Sequence, residues 1–513
     1  MIKKGIEIEL NVRPIYIGLV HDYFFEGPCR MATTEEVAPE FEAMMHPQIC
    51  QNYQKLCEEK LGGVSGINLM DPVFILRHDD MLSKEEFFED MSKDLDQVDL
   101  FLVGTQMARA DLVVELAERT GKPIMIQPQN CCMAARILSQ IRAHGQVGYG
   151  FFYWEEAIKQ MQALRIRKAL AHTNILQAVR MDNDSAITAN SFMNHYEVTR
   201  ILGVKFRGIN LHELIDQITQ GNPMENHCTP GRKGLNPTAE DMKEIERITD
   251  EIIAGASHVG MNKDKIMISV RGWYIVQKML EYFDCNAFTA PCPDFCATRR
   301  ANEENLTFCF AHSLNNEIGI PSSCEGDTIA LVSKQILSVA SGCSTYMGET
   351  NPLVYENGVA RLPSSPANKT GHGEEMKEIE NEPNLYTTFH AVPNRKFHGH
   401  DKPDSPYGIQ PFTYSGWGAT MRYDFNQDKG QPITLCRLSP DCKKIFIGKG
   451  TIMGGTDYMG KNCSQSVIYQ VKDSMDFYQK QLNVGSHVCL TYGDVSEVLK
   501  LFGESVGLEV LEA

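Results

Sequence analysis

Short apolar runs separated by amphipathic stretches constrain this chain more than any other feature. Ile15–Val20 (IYIGLV) and Leu100–Gly104 (LFLVG) are apolar runs of strand length, the pattern of parallel strands buried on both faces. The second leads into a helical stretch over Asp111–Thr120; Gly121-Lys122-Pro123 ends it and Ile124–Ile126 begins another strand. Strand–helix–strand succession joins parallel neighbours by a crossover, so the sequence predicts an α/β layer. A helix over Glu155–Leu170 closes this first domain, residues 1–170.

A second α/β set occupies residues 171–345. Gly203–Phe206 reads as a strand entering a helix over Leu211–Ile218, and the Gly/Pro-rich Gly221–Pro237 reads as a loop. Thr238–Ala256 is a charged amphipathic helix, Ile266–Val270 a strand, Gly272–Phe283 a helix and Asn286–Phe288 a strand. Past residue 345 the helical period fades. Tyr386–Val392, Thr413–Tyr423, Ile433–Leu438, Lys444–Ile447, Val467–Val471 and His487–Tyr492 alternate as strands do, Ala360–Pro383 is a polar loop, and Val495–Phe502 is a final helix. The expected fold is α/β: two Rossmann-like α/β domains followed by a β-rich, barrel-like domain over residues 346–513.

Charge narrows the function. The net charge of −17 argues against a nucleic-acid or anionic-membrane surface, since both need a basic footprint. There is no uninterrupted apolar run of transmembrane length, and Met1-Ile-Lys-Lys opens no signal peptide. The 16 cysteines, many in apolar stretches such as Cys131, Cys132, Cys309 and Cys489, read as buried reduced thiols of a cytoplasmic protein. No Walker A pattern and no strand-to-helix G-x-G-x-x-G is present, so nucleotide-driven chemistry has no motif. Cys292-Pro-Asp-Phe-Cys296 lacks the second Cys/His pair of a zinc knuckle, and His398-Gly-His400-Asp401 reads as an exposed polar loop.

The carboxylates carry more. In GIPSSCEGDTIALVSKQILSVASG (319–342), Ile329, Val332, Ile336, Leu337 and Ala340 give helical spacing, with Ser322 and Ser323 as cap candidates. Glu325 and Asp327 then fall in the first turn, where the helix end favours acids without any catalytic role. Glu349 follows the helix in an uncharged, glycine-containing return segment, Tyr-Met-Gly-Glu-Thr-Asn. Spacing alone does not bring these two acids together.

The segment Glu325 to Glu349, with its acids 24 positions apart, resembles the central part of the L-fucose isomerase and L-arabinose isomerase superfamily. Its Glu-Gly-Asp opening is similar to the arabinose branch and its spacing to the fucose branch. Gly430–Arg437 (GQPITLCR) resembles the G-x-P-x-T-x-x-R strand of that superfamily. Gly485–Asp494 (GSHVCLTYGD) and Leu499–Glu509 resemble its C-terminal segment. Arg13-Pro14 is similar to an I-R-P segment of the fucose branch.

The resemblance implies a divalent metal, Mn²⁺, held by Glu325, Glu349 and His487, with His390 a further ligand or substrate contact. Glu325 and Glu349 double as the acid/base pair of an aldose–ketose isomerase acting on a monosaccharide through an enediol(ate). Trp417 is a candidate sugar platform and equally a core residue. The superfamily is commonly hexameric, which implies a homo-oligomer. Competing readings are an isomerase of a 6-substituted or acidic sugar, a non-catalytic sugar-binding protein and a metal-dependent hydrolase.

Overall fold

The computed structural model describes residues 3–19, 39–77, 83–105, 110–127, 131–179, 190–219, 234–296, 298–356, 359–361, 382–390 and 392–513. Val20, most of the Gly221–Pro237 and Ala360–Pro383 segments, and the side chains of Cys131 and Cys132 lie outside the described residues. Two compact units form: Glu9–Arg165, and Met1–Ile8 with Ile166–Ala513.

In the Glu9–Arg165 unit, Leu10–Leu19 is the hub of a parallel sheet. It pairs with Ile67–Leu69, Val73–Arg77 and Leu100–Thr105, and the sheet continues through Ile124–Ile126 to Gly148–Gly150. Side chains alternate across a strand, and both faces here are apolar. Phe101 and Val103 join one core with Leu112 and Ile137. Leu100 and Leu102 join another with Tyr53 and Met161. A sheet covered on both sides needs continuous apolar strands, which is why these runs were legible.

The second unit contains a parallel sheet and a barrel. The sheet runs Ser322–Ser323, Ala287–Thr289, Asn174–Val179, Lys205–Asn210. The segment Ile266–Val270 is not a strand: one helix spans Lys263–Tyr282. Its buried residues Ile266, Ser269, Val270, Val276, Met279 and Leu280 recur at helical spacing. The β-branched run Ile-Met-Ile-Ser-Val obscured that period because tertiary packing overrides local propensity.

Six antiparallel strands close the barrel. Pro432–Leu438 pairs with His487–Tyr492, then follow Tyr346–Pro352, Leu385–His390, Gln465–Val471 and Lys444–Thr456, which returns to Pro432–Leu438. Thr413–Tyr423 is not one strand. It comprises a turn and the strand Ala419–Arg422, which pairs with Gly408–Pro411 outside the barrel. Glu349 lies not in a return loop but on the barrel strand Tyr346–Pro352. The helix Thr328–Ser341 links sheet to barrel and is buried almost throughout. Cys489 Sγ donates to the Ala330 carbonyl at 3.4 Å and Leu438 N donates to Ser333 Oγ at 3.2 Å, so the helix is pinned onto two barrel strands.

Candidate metal centre

Glu325 leaves the carboxyl end of the edge strand Ser322–Ser323, the end at which open α/β sheets present ligands. It does not lie in the first helical turn. The helix starts at Thr328 with Asp327 as its N-cap, Asp327 Oδ1 accepting from Ala330 N at 2.7 Å. Ser322 and Ser323 are therefore strand residues rather than caps. Glu325 adopts φ +62°, a left-handed conformation that costs a side-chain-bearing residue roughly 1–2 kcal/mol. Such strain persists where surrounding structure imposes it, and it concentrates at functional positions.

The imposed conformation brings Glu325 between two histidines. His390 Nε2 lies 3.4 Å from Glu325 Oε1 and His487 Nε2 lies 3.5 Å from Oε2. One ligand atom from each of these three residues falls within 4.8 Å of the others, the one such group of three among the described residues. Both histidines are buried and Glu325 is half-buried.

Asp327 determines what His487 offers. His487 Nδ1 lies 2.9 Å from Asp327 Oδ2, and Arg437 Nη1 donates to the same oxygen at 3.0 Å. An ionised carboxylate only accepts, so Nδ1 donates to Asp327, and in the neutral ring this leaves the lone pair on Nε2. That buried Nε2 has no hydrogen-bond partner among the described residues. A lone pair facing a carboxylate oxygen calls for a cation between them, and carboxylate–histidine support of this kind is the usual outer shell of a metal ligand. Burial pushes the Asp327 carboxyl up, but Arg437 and His487 outweigh it and hold its pKa below the ordinary carboxylate value.

His390 is fixed through its backbone. Tyr346 Oη accepts from His390 N at 2.7 Å and donates to the His390 carbonyl at 2.6 Å. Position 348 must be glycine, because a Cβ there would sit 2.4 Å from the Phe389 carbonyl oxygen and 3.1 Å from His390 Cβ. A further histidine, His312, approaches from the helix Cys309–Glu317, its Nδ1 2.8 Å from Ser322 Oγ. Burial, then Lys334 and His390, hold its pKa well below the usual imidazole value, so it is neutral.

Of the sequence candidates, Glu325, His390 and His487 come together. Glu349 is outside the three-atom group but beside it. It pairs in register with His487 on one side and Phe389 on the other, which puts the Glu349 and His487 Cβ atoms about 4.5–5.5 Å apart on one face. Trp417 is nearly buried, its ring 5.6 Å from that of Phe412. Arg13 belongs to the Glu9–Arg165 unit, buried on Leu10–Leu19 with Nη2 3.7 Å from Asp94. His398 is exposed as expected but bonds Asp428 at 3.1 Å, and His400 is anchored to Ser338 at 3.0 Å rather than free in a loop. The roles of Asp327 and Arg437 were not assigned from sequence. Their signals were present in the Glu-Gly-Asp and G-x-P-x-T-x-x-R patterns, but the two lie 110 residues apart in the chain.

The donor set, one carboxylate and two imidazoles with a second carboxylate adjacent, is chemically suited to a divalent ion that accepts oxygen and nitrogen. No family model matches the chain, and no curated protein matches it. Among the solved structures that match, that of a putative transcriptional regulator from Clostridium difficile 630 does so at 12% identity over 60% of this chain and 76% of that chain. Its TM-score of 0.15 carries no argument about fold or function. Among the described residues no helix is long and apolar enough to cross a membrane.

Proposed function

We propose that this chain is a metal-dependent aldose–ketose isomerase acting on a monosaccharide. The observation that carries the reading is the convergence of Glu325, His390 and His487, with Asp327 aiming an unpaired His487 nitrogen at the Glu325 carboxylate. Its remaining support is the resemblance of the Glu325–Glu349, Gly430–Arg437 and Gly485–Asp494 segments to the fucose and arabinose isomerase superfamily. On this reading the two α/β layers are Rossmann-like and the protein works in the cytoplasm as a homo-oligomer.

Glu325, His390 and His487 would hold the divalent ion, which the superfamily resemblance suggests is Mn²⁺. When bound it polarises the sugar carbonyl and stabilises the negative charge that develops there. Glu349, outside the three-atom group yet paired beside His487, takes the proton from the carbon next to the carbonyl. The same proton, or one from solvent, returns to the neighbouring carbon, which interchanges aldehyde and ketone without a redox cofactor. Asp327 and Arg437 keep His487 in the required tautomer.

A panel of pentoses, 6-deoxyhexoses and 6-substituted hexoses tests the proposal, with Mn²⁺ added and ketose formation and C2 hydrogen exchange measured. Ketose formation abolished by a chelator and restored by Mn²⁺ is the expected result. Tight sugar binding without C2 exchange identifies a binding protein instead, and turnover untouched by chelation refutes the metal assignment.

A further inference from the structure

Five cysteines from four separate segments gather near Glu325, and the reading above uses none of them. Cys292 and Cys296 stand at the two ends of a single-turn helix, their sulfurs 3.3 Å apart. Cys309 and Cys324 lie close enough to Cys292 to interact electrostatically with it. Cys324 is bonded through the backbone to Glu325. Cys463 lies close enough to interact electrostatically with Cys309, Cys292 and Glu325. All five are free thiols.

The contacts radiate from Cys292 and do not close on a common point. The group of Glu325, His390 and His487 remains the one set of three ligand atoms lying mutually within 4.8 Å among the described residues. A thiolate metal site needs its sulfurs arranged around one ion, so this arrangement suits chemistry between pairs. The close approach of the sulfurs selects the pair: Cys292 and Cys296 are 3.3 Å apart and only partly buried as residues, whereas Cys309 and Cys324 are buried.

We propose that Cys292 and Cys296 form a redox-active dithiol, a modification site that peroxides and small-molecule disulfides convert to an intramolecular disulfide. With peroxide, the Cys292 thiolate attacks one peroxide oxygen and the O–O bond breaks. This gives the Cys292 sulfenic acid and, after protonation, water. The Cys296 sulfur then attacks the Cys292 sulfur, forming S–S and releasing a second water. Two thiols and one peroxide yield one disulfide and two waters. With a small disulfide, Cys292 forms a mixed disulfide and releases one thiol, and Cys296 displaces the other.

Geometry permits this at the expense of the helical turn. Residues four apart on a helix have Cα atoms about 6 Å apart, inside the span of a disulfide, but their Cβ atoms must approach to about 3.8 Å. Oxidation therefore unwinds Cys292–Cys296. A turn of five residues has little cooperative structure to lose. The hydrogen bond that the Cys292 S–H gives to Cys296 leads the effects that raise the Cys292 thiol above its ordinary pKa. Attack is accordingly slow at neutral pH and quickens as pH rises.

The test uses the full chain, treated with hydrogen peroxide at neutral and at mildly alkaline pH. Free thiols are then alkylated and the peptides mapped by mass spectrometry, with circular dichroism confirming that each variant is folded. The expected result is a Cys292–Cys296 disulfide that forms faster at the higher pH, is reversed by dithiothreitol, and is absent from both Cys292→Ser and Cys296→Ser. The proposal is overturned if both thiols remain alkylatable after peroxide. It is equally overturned if they proceed only to sulfinic or sulfonic acids, or if Cys292 pairs with Cys309 or Cys324 in the unaltered chain. None of these outcomes depends on isomerase activity or on a bound metal.

Discussion

Replacing Asp327 by asparagine separates the structural and the metal-directing roles of one buried carboxylate. The substitution keeps the shape of the side chain, and asparagine caps a helix as well as aspartate, so the bond from Ala330 N survives. What disappears is the charge opposite Arg437, in a pair whose side chains are 0% and 1% exposed. Removing one partner of a buried pair costs about 3–5 kcal/mol. Arg437 keeps the Val484 carbonyl at 2.7 Å and the His487 carbonyl at 2.6 Å, which places the expected loss near the lower end, about 3 kcal/mol. With its oxygen retained at the cap, the new amide N–H₂ faces His487 Nδ1. Donor against donor forces the imidazole proton onto Nε2, and the lone pair aimed at Glu325 is lost. Loss of such support typically weakens metal binding about 10–100-fold. Urea unfolding measures the first quantity, and Mn²⁺ titration followed by electron paramagnetic resonance measures the second, in conditions where the variant is folded. A folded Asp327→Asn protein that binds Mn²⁺ as tightly as the parent refutes the tautomer argument.

Four further outcomes follow from the same geometry. Glu325→Gly relieves a φ of +62° and raises the melting temperature by the equivalent of roughly 1 kcal/mol, while metal binding in the same preparation is lost. Glu349→Gln leaves the fold and Mn²⁺ binding largely intact but abolishes C2 hydrogen exchange, since the ligand group does not include it; full exchange in the variant removes Glu349 from the chemistry. Asp327 has a depressed pKa in the folded state, so its contribution is present above the ordinary carboxylate pKa and lost as pH falls through the lower folded value. Acid unfolding of Asp327→Asn should show less of that dependence. Lys334 behaves differently: burial lowers its pKa from 10.5 to about 7, so the unfolded chain binds the extra proton between those values and stability rises with pH across that window. At ~1.4 kcal/mol per pKa unit the penalty below pH 7 is on the order of several kcal/mol. Lys334→Met stabilises the protein there and flattens the rise. The Ser322 carbonyl it leaves retains Asn316 Nδ2 at 3.1 Å. Denaturant midpoints measured from about pH 6 to about pH 10 decide it.

The sequence by itself determined the parallel layers, because strands buried on both faces must be apolar along their whole length, as Leu100–Gly104 is. It determined the strand His487–Tyr492 to the residue, where alternation and flanking turns agree. It misassigned Ile266–Val270, where β-branched residues serve a helix, and it placed Glu325 inside a helix that begins three residues later. It named Glu325, His390 and His487 only through resemblance, since spacing along a chain does not fix distance in space. Barrel closure did that. Pairing Tyr346–Pro352 between the strands of His390 and His487 sets those two imidazoles around Glu325 and seats Glu349 beside His487. Asp327 and Arg437 became a pair only when the helix Thr328–Ser341 packed on the strand Pro432–Leu438. The tautomer of His487, and with it the direction of its lone pair, follows from that long-range contact and from no local signal in the chain.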